Sequence, residues 1–276
     1  MLTDYHVHLR PDGNDSTATR YFTAANAEHY REVAASRGVE ELGVSEHVHR
    51  FSAALDVWQH PFWRQSAVDD LDAYVGFVRE ETDLKLGIEA DYIKGREDRM
   101  ANLLEAHEWD YVVGSVHFLG DFAVDFDDET DIWRQEMSAE RVWAKYFEAL
   151  AESARCGLYD IISHPDLVKI WGKARPVPEK DLRFFYEPAV EAMLEGNVAM
   201  ELSTAGLRKP VGEMYPARAY LEMAVDAGVP IALSSDAHIP DHLAYGYEQA
   251  VELLQDVGVK ELAVFEKRQR RLEPLG

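Results

Sequence analysis

Short apolar, β-branched runs alternate along this chain with longer stretches whose apolar residues recur every three or four positions. The short runs predict strands at LTDYHVH (2–8), VEELGVSEH (39–47), LKLGIEAD (84–91) and DYVVGSVHF (110–118). LYDIISHP (158–165), NVAMELST (197–204) and VPIALSSDAH (229–238) continue the series, and VKELAVFEK (259–267) is a weaker candidate. Between them, segments such as 23–38, 138–157, 184–196 and 215–228 read as amphipathic helices, each closing on a glycine that suits a helix C-terminus.

Strand–helix alternation of this kind predicts an α/β protein with a parallel sheet covered by helices. Seven or eight units favour a closed barrel over an open sheet. With no linker or repeat visible, residues 1–276 are expected to form one domain. No glycine-rich phosphate loop follows the first strand, which argues against a dinucleotide or P-loop fold. Residues 52–71, with Trp58, His60, Phe62 and Trp63, lack a strand pattern and are expected to form a βα loop over the active face. The acidic run DFAVDFDDETD (121–131) is expected to be a solvated loop.

Polar residues of one chemical type recur where these strands end. His6 and His8 close the first, His47 the second, Glu89 the third, His117 the fourth and His164 the fifth. Asp236 and His238 close the last strong one. Residues two apart on a strand point to one side, so each of the two pairs can face a common point. In a barrel all C-terminal strand ends converge on one face. A lone histidine there is more often structural, but six histidines and two carboxylates exceed the needs of a mononuclear site. They fit two or three divalent ions sharing a carboxylate, with Glu89 the best-placed bridge. Nitrogen and oxygen donors suit zinc, manganese or iron. Such a cluster can lower the pKa of a shared water and clamp phosphate oxygens. Lys169 and Arg208, each shortly after a strand end, are candidates to bind the non-bridging oxygens.

The charge balance sharpens this picture. With 51 acidic and 28 basic residues the net charge is -23, which makes nucleic acid an unsuitable partner and leaves an anionic substrate dependent on a local positive site. The basic patch of Lys267, Arg268, Arg270 and Arg271 is too short to change that and is expected to be solvated. Cys156 is the sole cysteine, so an intramolecular disulfide and a cysteine-based zinc site are excluded. No signal-like segment or membrane-length apolar run is visible, and a cytoplasmic protein is expected.

The ordered motifs YHVH (5–8), GVSEH (43–47), GIEADY (87–92), GSVHFL (114–119), SHPDLVK (163–169), ELSTAGLRKP (201–210) and SSDAH (234–238) resemble the polymerase and histidinol phosphatase superfamily, and within it the histidinol-phosphatase branch of histidine biosynthesis. The resemblance implies a distorted (β/α)7 TIM-like barrel carrying up to three metals. It assigns His6, His8, Glu89 and Asp236 to a first ion, Glu89, His117 and His164 to a second, and His47 and His238 to a third. It also implies hydrolysis of L-histidinol phosphate by a metal-activated hydroxide, with Arg208 and Lys169 near the phosphate. A related phosphoesterase acting on a nucleotide, small phosphodiester or phosphotyrosine, or a non-catalytic metal scaffold, would share much of the pattern. The family often has a further histidine at the place of Asn14; here Asp15 or Asp12 could ligate instead. Glu201, Trp63, Phe118, Tyr215 and Trp171 are candidates to contact the substrate amine and imidazole, although packing is the commoner use of such residues.

Overall fold

The computed structural model describes residues 1–13 and 17–276; Asn14 and Asp15 lie outside the described residues. In chain order the strands are β1 (Thr3–Asp4), β2 (Glu41–His47), β3 (Lys85–Asp91), β4 (Tyr111–Ser115), β5 (Phe118–Leu119), β6 (Phe122–Ala123), β7 (Ile161–Ile162), β8 (Ala199–Ser203), β9 (Ile231–Ser234), β10 (Glu261–Glu266) and β11 (Gln269–Pro274). The helices are α1 (Ala18–Tyr21), α2 (Ala24–Ser36), α3 (Pro61–Ser66), α4 (Leu71–Glu81), α5 (Glu97–Leu104), α6 (Ala139–Arg155), α7 (Arg183–Glu195), α8 (Arg218–Ala227) and α9 (Tyr247–Asp256).

Capping residues set several helix starts by satisfying amide donors that have no partner within the helix. Thr23 accepts from Asn26 N ahead of α2, Asp70 from Asp72 N and Ala73 N ahead of α4, and Ser138 from Arg141 N ahead of α6. Helix α6 shows why the pattern folds as it does. Val142, Trp143, Tyr146, Phe147, Leu150 and Ala154 recur at helical spacing and are all buried.

The strands pair in parallel in the order β1-β2-β3-β4-β7-β8-β9. The two ends of this sheet then meet. Val7 bridges Ala237, His8 N donates to Ala237 O at 2.8 Å, and Ala237 N donates to His6 O at 3.2 Å. Just below, the buried Asp4 carboxyl accepts from Ser235 N (2.8 Å), Ser235 Oγ (2.5 Å) and Ala244 N (3.2 Å). The barrel expected from the alternating pattern is therefore nearly closed, with seven strands. Its seam runs directly under the HVH and SDAH segments.

The interior is layered. Gly87 and Glu89 lie two apart on β3 and share a face, as do Ala199 and Glu201 on β8. The lower layer is apolar, built from Tyr5, Tyr111, Val113, Ile161, Ala199 and Ala232. The hairpin β10–β11 packs beneath it through Ala263, Val264 and Phe265. The run at 259–267 is thus a strand, but it pairs antiparallel with β11 instead of joining the barrel. The neighbouring basic patch is also less solvated than expected. Arg268 pairs with Asp160 at 2.9 Å and Arg270 donates to Asn197 O at 2.7 Å, while Lys267 and Arg271 are exposed. No helix among the described residues is long and apolar enough to cross a membrane.

Tyr111 explains two glycines. Its ring lies across Gly87 on the neighbouring β3 and Gly43 on β2 beyond it, and its hydroxyl donates to Tyr5 O at 2.7 Å. A Cβ on either glycine would fall inside the van der Waals radius of that fully buried ring. Gly87→Ala is accordingly expected to destabilise the fold by about 1–3 kcal/mol through overpacking. Urea titration checks this, and wild-type stability would refute the close-packed account of the lower layer.

Candidate metal centre

Above the apolar layer the interior turns polar. Glu89 stands near its middle, about 1% exposed, with its two oxygens facing different sets of rings. Oε2 lies 3.3 Å from His6 Nε2 and 3.5 Å from His8 Nε2, and also meets His47 Nδ1. Oε1 lies 3.4 Å from His117 Nε2 and 3.3 Å from His164 Nε2, and accepts from Ser115 Oγ at 2.6 Å. Burial opposes ionisation here, yet the rings of His47, His6 and His117 hold the Glu89 carboxyl well below the usual range. Asp236 Oδ1 closes the other side, 3.7 Å from His6 Nε2, 3.6 Å from His8 Nε2 and 3.4 Å from His238 Nδ1.

Two of these residues reach their positions through unusual backbone. His164 has φ 24° and Asp236 has φ 51°, in the left-handed region that non-glycine residues rarely adopt. Such conformations persist where the surroundings enforce them, commonly at functional sites. Here each turns the chain sharply as its strand ends and brings the side chain over the barrel mouth.

The donor spacing tests whether metal ions fit. Two donors each about 2.1 Å from one tetrahedral ion lie about 3.4 Å apart. The contacts between Glu89 and four of its rings match that separation. His6 Nε2, His8 Nε2 and Glu89 Oε2 are buried, aimed at one another, and have no hydrogen-bond partner. Among the described residues, three groups satisfy the proximity a metal needs, namely His6, His8 and Asp236; His6, Glu89 and His164; and His8, His47 and His238. The residues fit divalent ions.

Behind the rings stands a ring of carboxylates. His6 Nδ1 bonds Glu201 Oε1 at 2.9 Å, His117 Nδ1 bonds Asp91 Oδ1 at 2.7 Å, and His8 Nδ1 faces Glu46 Oε2 at 3.8 Å. Such partners fix ring orientation and leave the opposite nitrogen for an ion. Glu201 also accepts from His164 N at 2.6 Å and from Ser234 Oγ, so one carboxylate ties three strand ends together. Glu46 is held by Arg50, and Arg50 also pairs with Asp12 at 2.6 Å.

All eight expected side chains with described positions, His6, His8, His47, Glu89, His117, His164, Asp236 and His238, thus come together at one barrel mouth. Asp15 lies outside the described residues. Asp12 does not: its Oδ2 is 3.3 Å from His238 Nε2, which lies 3.4 Å from His47 Nε2. Arg208 reaches the edge of the centre, donating from Nη2 to Ser235 O (2.8 Å) and Asp236 O (3.0 Å), while its buried Nη1 has no partner.

Lys169 departs from expectation. Its ammonium meets Asp166 at 2.9 Å, Glu213 at 2.8 Å and Met214 O at 2.8 Å, and so its three donors are already committed. A phosphate contact would have to break one of them. Glu201 is a support for His6 instead of a substrate contact, and Trp63 is fully buried core. Tyr215 is buried under the Lys169 ammonium, and Trp171 donates to Val124 O. Phe118 alone of that group lines a cavity beside the centre, together with Phe62 from the 52–71 segment. Asp91 and Ser115 were not anticipated, although their spacing carried a signal. Each lies two positions from a ligand-type residue, Asp91 from Glu89 and Ser115 from His117, and shares its face.

Comparison with known proteins gives this arrangement a family. The PHP domain matches residues 16–205, more than half of the chain. The chain belongs to the PHP family. A probable histidinol-phosphatase from Deinococcus radiodurans is 30% identical over 280 residues, spanning 99% of each chain. The histidinol-phosphatase of Bacillus subtilis is 25% identical across 90% of this chain and 98% of its own. In three dimensions this PHP protein is similar to the Lactococcus lactis histidinol phosphate phosphatase solved with zinc, L-histidinol and phosphate. The TM-score is 0.70 at 20% identity, covering 98% of both chains.

The carboxylates behind the rings yield a prediction. Glu201→Gln should weaken divalent-metal binding by about 10–100-fold, because His6 loses its charged partner. Chelator competition measures this directly, and unchanged affinity would show that Glu201 does not tune the centre.

Proposed function

We propose that this PHP protein is a metal-dependent histidinol-phosphatase, hydrolysing L-histidinol phosphate to L-histidinol and phosphate. The observation that carries this reading is the two-sided placement of Glu89, with one oxygen toward His6, His8 and His47 and the other toward His117 and His164. The end-to-end likeness to histidinol-phosphatases supplies the substrate.

In this reading His6, His8, Glu89 and Asp236 hold one divalent ion, and Glu89, His117 and His164 hold a second. His47 and His238 hold a third, with Asp12 beside them. When bound, such ions supply Lewis acidity and a water that ionises near neutral pH. The chain's own groups do the remaining work. The unpartnered Nη1 of Arg208 offers a donor to a phosphate oxygen, and its Nη2 bonds anchor the guanidinium to the backbone that carries Asp236. Burial lowers the Arg208 pKa, so its charge is poorly solvated and an incoming anion would offset part of that cost. Lys169 acts on this site only through structure, by tying Asp166 to the turn at Met214.

Turnover of L-histidinol phosphate, a nucleoside monophosphate, a small phosphodiester and phosphotyrosine, each with zinc or manganese supplied, tests the reading. A preference of about 100-fold or more for histidinol phosphate is expected, corresponding to a few well-placed polar contacts. Arg208→Ala should lower kcat/KM on it by about 100-fold, as for other lost transition-state donors. A preference for another phosphoester would replace the substrate. Tight metals without turnover on any phosphoester would reduce the protein to a metal scaffold.

A further inference from the structure

A cavity of about 610 Å3 opens beside the histidine rings, lined by His47 and His117 on one side and by Phe62, Phe118, Asp125 and Phe126 on another. Its volume suits a small-molecule ligand. The three phenylalanines form a cluster, with ring centroids 4.7 Å apart for Phe62 and Phe126, 5.9 Å for Phe118 and Phe126, and 6.1 Å for Phe62 and Phe118. They come from two separate segments, one after β2 and one on or after the β5–β6 hairpin. The charged groups elsewhere on this wall have partners. Arg50 is committed to Glu46 and Asp12, and Arg10 to Asp69.

Asp125 differs. Its Oδ1 is buried and has no hydrogen-bond partner. Burial pushes its carboxyl up from the ordinary range, against the charges of His117, His164 and Lys209 acting through space and a bond from its own backbone amide. A buried acceptor left unpaired costs free energy that a cationic donor would recover. It belongs to the acidic run 121–131, whose expected solvation is only partial at Asp125, where the residue is half-buried, and fails at Asp131, which is fully buried against Arg175 at 2.6 Å.

We propose that Asp125 and the Phe62–Phe118–Phe126 cluster form the recognition wall for the organic end of the substrate, the carboxylate receiving an ammonium or protonated heteroaromatic and the rings packing against its flat face. This rests on the phosphatase reading, and places the two ends of one molecule in opposite surroundings. The dianionic phosphate lies at the metal centre and Arg208, and the cationic end lies at an acid among aromatics. Phosphomonoesters lacking a cation would find only the first half of the site. Selectivity within phosphomonoesters is therefore set on this wall, away from the ions.

The Asp125→Asn variant tests this, with metal content measured to show that the centre is intact. The quantity read is the ratio of kcat/KM for L-histidinol phosphate to that for p-nitrophenyl phosphate. It should fall by about tenfold or more, mainly through KM, as expected for a lost charge-assisted bond. Asp125→Glu should keep part of the ratio. An unchanged ratio, or equal loss on both substrates, overturns the proposal. Calorimetric binding of L-histidinol separates it from the phosphatase reading. If the wild type hydrolyses no phosphomonoester but Asp125→Asn weakens histidinol binding about tenfold, the wall stands and the phosphatase reading fails. If binding is the same in both proteins, the wall fails.

Discussion

A carboxylate that is almost fully buried and still ionised must be surrounded by groups that stabilise its charge, because an uncompensated charge in a protein interior is costly. Glu89 meets this condition with five imidazoles from four strand ends, and the barrel is arranged to deliver them. His6 and His8 come from the segment that closes the barrel seam, His47 from the end of β2, His117 from beyond β4 and His164 from beyond β7. If the seam slipped by one residue, the alternation of side chains would turn His6 and His8 away together. The backbone bonds between His6, His8 and Ala237 therefore hold the rings in place as directly as the contacts to Glu89 do.

The same constraint explains the excess of acid around the centre. Asp4, Asp12, Glu46, Asp91, Glu201 and Asp236 join Glu89 there, and Arg50 and Arg208 contact some of them or their backbone. Histidine protonation alone would have to balance the remainder. Divalent cations would do so while leaving the ring nitrogens as ligands, and the ring-to-carboxylate separations near 3.4 Å match those of donors that share an ion. An acidic protein can in this way present a positive site to a phosphate dianion.

Much of this was legible in the sequence because strands have a period of two and barrels gather strand ends. Those two facts place His6, His8, Glu89, His117, His164 and Asp236 on one face without knowledge of any distance. What was not legible depends on partners far apart in the chain. Lys169 looked like a phosphate ligand until Glu213, 44 residues away, and Met214 supplied its acceptors. Glu201 looked available until His6 occupied it across 195 residues. Asp125 looked like one more solvated acid, because its place on the wall of one cavity with Phe62 and Phe118 depends on segments far apart in the chain. The hairpin β10–β11 was half visible: its first strand was read, but nothing local said that it would plug the barrel floor.

The central claim is that one carboxylate, Glu89, joins two ligand sets into a single multinuclear centre. Metal content per chain, measured by elemental analysis of the wild type and Glu89→Gln after identical loading, tests it most directly. The account predicts at least two ions in the wild type and the joint loss of both ions that Glu89 bridges in a variant that remains folded. A folded Glu89→Gln protein with the full wild-type complement of metal would contradict it.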